Sequence, residues 1–183
     1  MIQKILTSTN PKLRIVSKQI TRIDKKVLAL IEDLKDTLSI QKDPEGVGLA
    51  APQIGKNLRI FLMNHGGIER VVINPEILEA KRIVNKEPGI KNKGKIMEGC
   101  LSLPHYYGGI KRANYIKLKY QRPTLDAGHW RLETLIEEFK GFFAQIVLHE
   151  IDHLGGILFI DRLLAQKKPL YKLVGGEWEE VEI

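Results

Sequence analysis

The residues with the clearest chemistry are Leu148-His149-Glu150-Ile151-Asp152-His153, a His-Glu-x-x-His motif. On a helix, His149 and His153 stand one turn apart on the same face, where two imidazoles can grip one metal ion. Glu150 lies beside any water on that metal and can take and return a proton. The flanking residues support a helix. Phe139, Phe142, Phe143, Ile146 and Val147 recur at helical spacing, and Phe142 and Ile146 share a stripe with the two histidines. The metal-facing side is therefore the buried side. Gly155 and Gly156 then end the helix.

A third donor decides what kind of site this is. The long zinc-protease pattern asks for Gly at 156, which is present, and His at 159, where this chain has Phe159. A downstream carboxylate would have to come from Glu177, Glu179, Glu180 or Glu182, an acidic tail with no clear helical frame. The donor is therefore sought upstream. The segment Glu98-Gly99-Cys100-Leu101-Ser102-Leu103-Pro104 carries the only cysteine. A lone cysteine can be a small buried hydrophobe, a nucleophile paired with histidine, or a thiolate ligand. With two histidines already inviting a metal, Cys100, His149 and His153 make a three-ligand site with one position open to water. That is the catalytic rather than the structural pattern.

A second stretch invites close approach to its backbone. In Gly46-Val47-Gly48-Leu49-Ala50-Ala51-Pro52-Gln53-Ile54-Gly55, two glycines two apart precede small residues. A phosphate loop lacks its Gly-Lys-Ser/Thr, and the dinucleotide fingerprint fails at Ala51. A substrate backbone lying beside Gly48 fits better. Gln53 is a side-chain amide that could donate to a developing oxyanion, although a lone glutamine reads more simply as a hydrogen-bonded structural residue.

The elements that must position these groups follow from composition and periodicity. A chain of 183 residues, 43% hydrophobic and 28% charged, is sized for one domain, 1–183, with a real core. Met1-Ile2-Gln3-Lys4 does not open a signal peptide, and no apolar run is long enough to span a membrane. The single cysteine excludes an internal disulfide and fits a reducing cytoplasm. The formal net charge of +7 fits a generic basic surface as well as a ribosome-facing one. No basic motif interleaved with aromatics marks a dedicated nucleic-acid binder. Asn10-Pro11-Lys12-Leu13-Arg14 reads as a turn into a short helical piece. Asp24 reads as the N-cap of an amphipathic helix carrying Val27, Ile31, Leu34 and Leu38 and ending near Ile40. Asp43-Pro44-Glu45-Gly46 breaks it. Strands are expected at Leu58 to Met63 and Val71 to Ile73, with Asn64-His65-Gly66-Gly67 as the turn between them and His65 a loop residue, not a ligand. Residues 75–84 read as extended, 86–95 as a basic loop, and Tyr115 to Tyr120 as a half-exposed strand.

Taken together and in order, Gly46 to Gln53, Glu98 to Ser102, and His149 to His153 followed by Leu154 and Gly156 resemble the three motifs of the peptide deformylases. The opening Asn10 to Arg14 is similar to that family's start, and Arg112 falls where the family often has arginine. The resemblance covers the chain to about Leu163. It implies an α+β fold in which antiparallel β-sheets wrap a central metal-binding helix. It implies a hydrolase that removes the N-formyl group from formyl-methionine at the start of nascent proteins and releases formate. Cys100, His149 and His153 would hold one divalent metal ion, Fe2+ in the cell, with Zn2+, Ni2+ or Co2+ able to occupy the site. Glu150 would shuttle the proton, while Gln53 and the Leu101 backbone N–H would meet the oxyanion. Val47, Ile96, Phe142 and Ile146 would line the methionine pocket, and Gly48 would pair with the peptide backbone.

The implied partners are nascent formyl-methionyl peptides in the cytoplasm, with transient ribosome contact and no membrane. Two departures stand out: Leu148 replaces the usual glutamine before the first histidine, and Gln145 stands where arginine is common. The tail from Ala165 is too short for the long terminal helix of some members. Its Gly175-Gly176 and the alternation of Trp178, Val181 and Ile183 predict a short strand. The alternatives are a deformylase-like enzyme acting on another short acyl-amide and a catalytically silent, metal-stabilised binding protein. Glu150 argues against the second, because a structural metal site has no use for a proton shuttle.

Overall fold

The structure is a computed structural model that describes residues 1–82 and 97–182. The basic loop at 86–95 and Ile96 lie outside the described residues. The described residues form two antiparallel sheets and three α-helices. The larger sheet has the order β1-β2-β3-β6-β7, built from β1 (Gly48–Ala50), β2 (Ile60–His65), β3 (Ile68–Lys81), β6 (Tyr115–Asp126) and β7 (His129–Lys140). The smaller has the order β4-β5-β8-β9, from β4 (Glu98–Cys100), β5 (Leu103–Gly108), β8 (Leu170–Val174) and β9 (Glu177–Val181). The helices are α1 (Lys25–Ser39), α2 (Phe142–Leu154) and α3 (Phe159–Ala165).

The larger sheet is covered on both faces, which explains the unbroken apolar run Ile60-Phe61-Leu62-Met63. Successive strand residues point to opposite faces. Ile60 and Leu62 pack with Leu30, Ile31, Leu34 and Leu38 of α1. Phe61 and Met63 pack with Ala144, Ile146 and Val147 of α2, joined by Ile116, Leu118 and Tyr120. A third cluster of Cys100, Phe159, Leu163 and Leu170 ties α3 to the smaller sheet. The helix bearing the histidines is thus held between the sheets, as the α+β expectation requires.

Local boundaries follow their cues with three corrections. Asp24 caps α1 by accepting from the Lys26 and Val27 N–H groups, both at 2.9 Å, and Pro11–Arg14 forms a single 3-10 turn. The central helix starts at Phe142, so Phe139 belongs to β7, where it is register-paired with Ile116. Helical spacing and the end of a strand coincide there, and long-range pairing wins. Gly141, at φ +59°, makes the turn from strand to helix, a conformation that favours glycine. His65 is the last residue of β2, paired with Ile68, and not a loop residue. The tail forms a hairpin, β8 paired with β9, where one short strand was expected.

Candidate active site

Helix α2 carries His149, Glu150 and His153 on its buried side. The Nε2 atoms of the two histidines lie 3.2 Å apart. Cys100, the last residue of β4, brings its Sγ to 3.3 Å from His153 Nε2. The three donor atoms all lie within 4.8 Å of one another, and among the described residues this is the one such group. Donors around a tetrahedral metal with bonds of about 2.0–2.3 Å are separated by roughly 3.3–3.7 Å. The convergence therefore fits a metal, and one thiolate with two imidazoles suits a borderline divalent ion.

Charge holds the donors in place. Burial would push the Cys100 thiol up, but the His153 and His149 imidazoles outweigh it and hold the thiol well below its ordinary range. Burial pulls His149 down, yet the Cys100 sulfur and the Glu98 carboxylate leave it well above the usual imidazole value. Both shifts favour a thiolate at Cys100 beside positive charge. His149 Nδ1 lies 2.7 Å from Glu98 Oε1, a contact that orients the ring and leaves Nε2 toward Cys100 and His153.

Glu98 is itself pinned. Its oxygens accept from Arg112 Nε at 2.6 Å and Nη2 at 2.7 Å. Arg112 Nη1 donates to Asp152 at 2.8 Å, and Asp152 accepts from Arg162 of α3 at 2.5 and 3.0 Å. Burial works to raise the Glu98 carboxyl, but Arg112 and His149 bring it down to about 2. The sequence marks Arg112 only by its position, and the parts played by Glu98, Asp152 and Arg162 have no signal in spacing.

Glu150 is 3% exposed, and its Oε2 has no hydrogen-bond partner among the described residues. Burial pushes its carboxyl up to about 7, against the pull of the His149 and His153 imidazoles. A buried carboxyl poised near neutrality is suited to taking and returning a proton. Gly48 of β1 lies directly against it, and a Cβ there would run into the Glu150 carboxylate. Gln53, in the 3-10 turn after β1, accepts from the Ala50 N–H at 2.8 Å through Oε1. That fixes its amide the other way round: Nε2 donates to Ser102 Oγ at 3.2 Å and lies 3.7 Å from Cys100 Sγ.

These groups open onto one cavity of about 320 Å³. Val47, Gly48, Gln53, Cys100, Leu101, Phe142, Ile146, His149 and Glu150 all line it. The chain is similar throughout to proteins of known family. The polypeptide deformylase family matches residues 2–169. This chain belongs to that family. It is 38% identical over 182 residues to the peptide deformylase of Pseudothermotoga lettingae, covering 95% of this chain and 93% of the relative. The crystal structure of the peptide deformylase from Thermotoga maritima superposes with a TM-score of 0.73 at 37% identity, covering 88% of this chain and 97% of that one. A class I type b peptide deformylase from Acinetobacter baumannii, solved with Met-Ala-Ser bound, gives 0.68 at 28% identity, covering 88% and 98%.

Deformylases are metal-dependent enzymes, and the Cys100, His149 and His153 cluster is where this chain has a possible metal site. Of the expected pocket residues, the structure brings together Val47, Gly48, Phe142 and Ile146, while Ile96 lies outside the described residues. His65 and Gln145 are among the lining residues for which the sequence suggests no role. His65 meets Phe142 edge-on, with ring centroids 4.9 Å apart. Gln145, at its departure from the family pattern, reaches Glu98 Oε2 at 3.4 Å, so it joins the ring of partners around that carboxylate. Leu148 is half-buried and packs against the cluster shared by α2 and the larger sheet, so apolar contact replaces a polar group next to His149.

Proposed function

We propose that this deformylase removes the formyl group from the N-terminal formyl-methionine of newly made proteins, with Cys100, His149 and His153 holding a single divalent ion. The observation that carries the reading is Glu150, buried beside the Cys-His-His cluster at the wall of the cavity with an oxygen that has no hydrogen-bond partner among the described residues. A bound metal would act as a Lewis acid and make a water acidic enough to attack at neutral pH. Ferrous iron is the ion we assign in the cell, with zinc, nickel or cobalt as substitutes.

The remaining chemistry belongs to the chain's own groups. Glu150 takes the proton of the attacking water and later returns it to the leaving amine, so formate and a free N-terminus are released. The Gln53 Nε2–H group, held 3.7 Å from Cys100 Sγ while its Oε1 accepts from the Ala50 N–H, would turn from Ser102 to meet the oxygen that gains charge, together with the Leu101 N–H. Val47, Phe142 and Ile146 form an apolar slot for the methionine side chain. The relative solved with Met-Ala-Ser bound supports a methionine-headed peptide as occupant. The buried backbone at Gly48 would accept the peptide main chain alongside β1. We infer that the chain works as one catalytic unit in the cytoplasm, meeting its substrates near the ribosome. No single helix among the described residues is long and apolar enough to cross a membrane.

The test is formate release from a formyl-methionyl peptide by protein purified without oxygen and loaded with iron or nickel. Release by the parent, abolished in Glu150→Gln with metal content retained, is the expected result. No release from protein carrying one metal per chain would overturn this substrate and direct the search to other short acyl groups.

A further inference from the structure

The cavity contains an imidazole that this chemistry leaves unused. His65, at the end of β2, stands edge-on to Phe142 at 4.9 Å and to Phe143 at 5.5 Å between ring centroids. It lines the same cavity as Gly48, His149 and Glu150. Its ring nitrogens make no hydrogen bond to any described residue. It is only half-buried, so a group in the cavity can reach them.

We propose that His65 is a specificity-determining residue whose ring N–H recognises the thioether sulfur of the substrate's N-terminal methionine. The proposal rests on the deformylase reading above. Its geometry comes from α2. Ile146 precedes His149 by three residues and Phe142 by seven, which places them about 4.5 and 10 Å back along the helix axis. In an extended formyl-methionine the sulfur lies about 6 Å from the formyl carbon. With the formyl group at the Cys-His-His cluster and the side chain laid along α2, the sulfur falls between Ile146 and Phe142. That is where the imidazole packed on Phe142 is within reach.

The chemistry separates methionine from a shape-matched hydrocarbon. Norleucine has a methylene where methionine has sulfur, so it fills the slot equally well but accepts no hydrogen bond. A thioether is a weak acceptor. A slot of purely apolar side chains discriminates only modestly between isosteres, whereas one with a donor penalises the analogue that leaves it unpaired. Phe142 contributes its own sulfur–ring contact to both the parent and any variant at 65. The part due to His65 is therefore read as a change in the methionine-to-norleucine ratio, not as the ratio itself.

The experiment compares kcat/KM for formyl-methionyl and formyl-norleucyl versions of one peptide in the metal-loaded parent, His65→Phe and His65→Leu. His65→Phe keeps a ring against Phe142 and removes the donor. His65→Leu repeats the donor loss with a different shape, should the phenyl ring disturb packing. The ratio should fall by about threefold or more in both variants, within the range of one net hydrogen bond. A purely structural His65 would lower both substrates together and leave the ratio unchanged, which overturns the proposal while the deformylase reading stands. Formate from neither peptide with loaded parent enzyme would overturn both.

Discussion

Gly48→Ala tests whether the position of Glu150, and not only its presence, sets the rate. Gly48 is buried in β1, register-paired with Met63, and its φ is not in the left-handed region, so the backbone itself accepts alanine. The obstacle is Glu150. An added Cβ would stand 2.9 Å from Glu150 Cδ and 3.1 Å from Cγ. Ordinary carbon–carbon contact is about 3.5–4.0 Å, so the carboxylate must retreat by roughly 0.5–1 Å. A catalytic group misplaced by about 1 Å can cost on the order of 100-fold in rate, equivalent to about 2.7 kcal/mol of barrier. The three atoms nearest that Cβ all belong to Glu150, and none is a proposed ligand atom. Metal content and thermal midpoint should therefore stay close to the parent. The assay is kcat and KM for formate release, with metal analysis and a melting curve on the same preparation. The expected result is a kcat lower by about two orders of magnitude. In a Glu150→Gln background the same change should add little further loss, because the group it displaces is already disabled. A kcat within threefold of the parent, with only KM raised, would refute the reasoning and reduce Gly48 to a contact for the substrate backbone.

Other predictions follow from neighbouring groups. As the proposed base Glu150 works only when ionised, and burial, against the pull of the His149 and His153 imidazoles, puts its carboxyl at about 7. A bound dication pulls it lower. The acidic limb of kcat/KM should therefore lie at or below about pH 7, with activity falling as pH falls, and a limb well above that value would exclude Glu150 as its source. Glu98 is held at about 2 from an ordinary 4.5. Its contribution to stability is therefore present above pH 4.5 and lost as pH falls toward 2. At 1.36 kcal/mol per pH unit this amounts to about 3 kcal/mol, read from acid unfolding of metal-free protein beside Glu98→Gln, which should lack that part of the loss. The same variant should bind metal 10–100-fold more weakly, by competition with a chelator, because His149 loses its charged partner. Leu34→Ala, at a site 1% exposed in the α1 cluster, should cost about 2–5 kcal/mol in denaturant unfolding. It should change kcat far less than stability, because Leu34 does not line the cavity.

How much was legible depended on whether the cause was local. His149 and His153 could be read from spacing, because one helical turn is a local fact. Cys100 needed chemistry as well: two imidazoles, no histidine at 159, and one thiol in a glycine-flanked segment. Asp24 and the stripe of α1 were local too. The Glu98, Arg112, Asp152 and Arg162 cluster was not. Its members come from β4, the segment before β6, α2 and α3, and no periodicity links a carboxylate on a strand to a guanidinium further along. His65 was misread for the same reason, since the pairing of β2 with β3 carries it beside the first turn of α2. Phe139 was misread because 139, 142, 143 and 146 fit a helix, while the β6–β7 ladder takes the first of them.

That cluster also bears on what its burial is for. Side chains of Glu98, Arg112 and Asp152 are 4%, 9% and 8% exposed, so three charges are largely removed from water. Each costs several kcal/mol to desolvate, and well-packed apolar residues in such places often match or exceed a buried ion pair in stability. Stability is therefore a poor reason for this arrangement. What an apolar residue at 98 could not do is engage His149 Nδ1. A carboxylate alone could do so, but it would be free to rotate and its charge would be uncompensated. Arg112 removes both faults, because its Nε and Nη2 occupy one Glu98 oxygen each. Arg112 then leaves Nη1 over, which Asp152 takes, and Arg162 balances Asp152 at the half-exposed edge. Two carboxylates and two guanidiniums close the account at zero net charge. Each member is thus needed by the one before it, and the series ends at the His149 ring whose Nε2 faces Cys100 and His153.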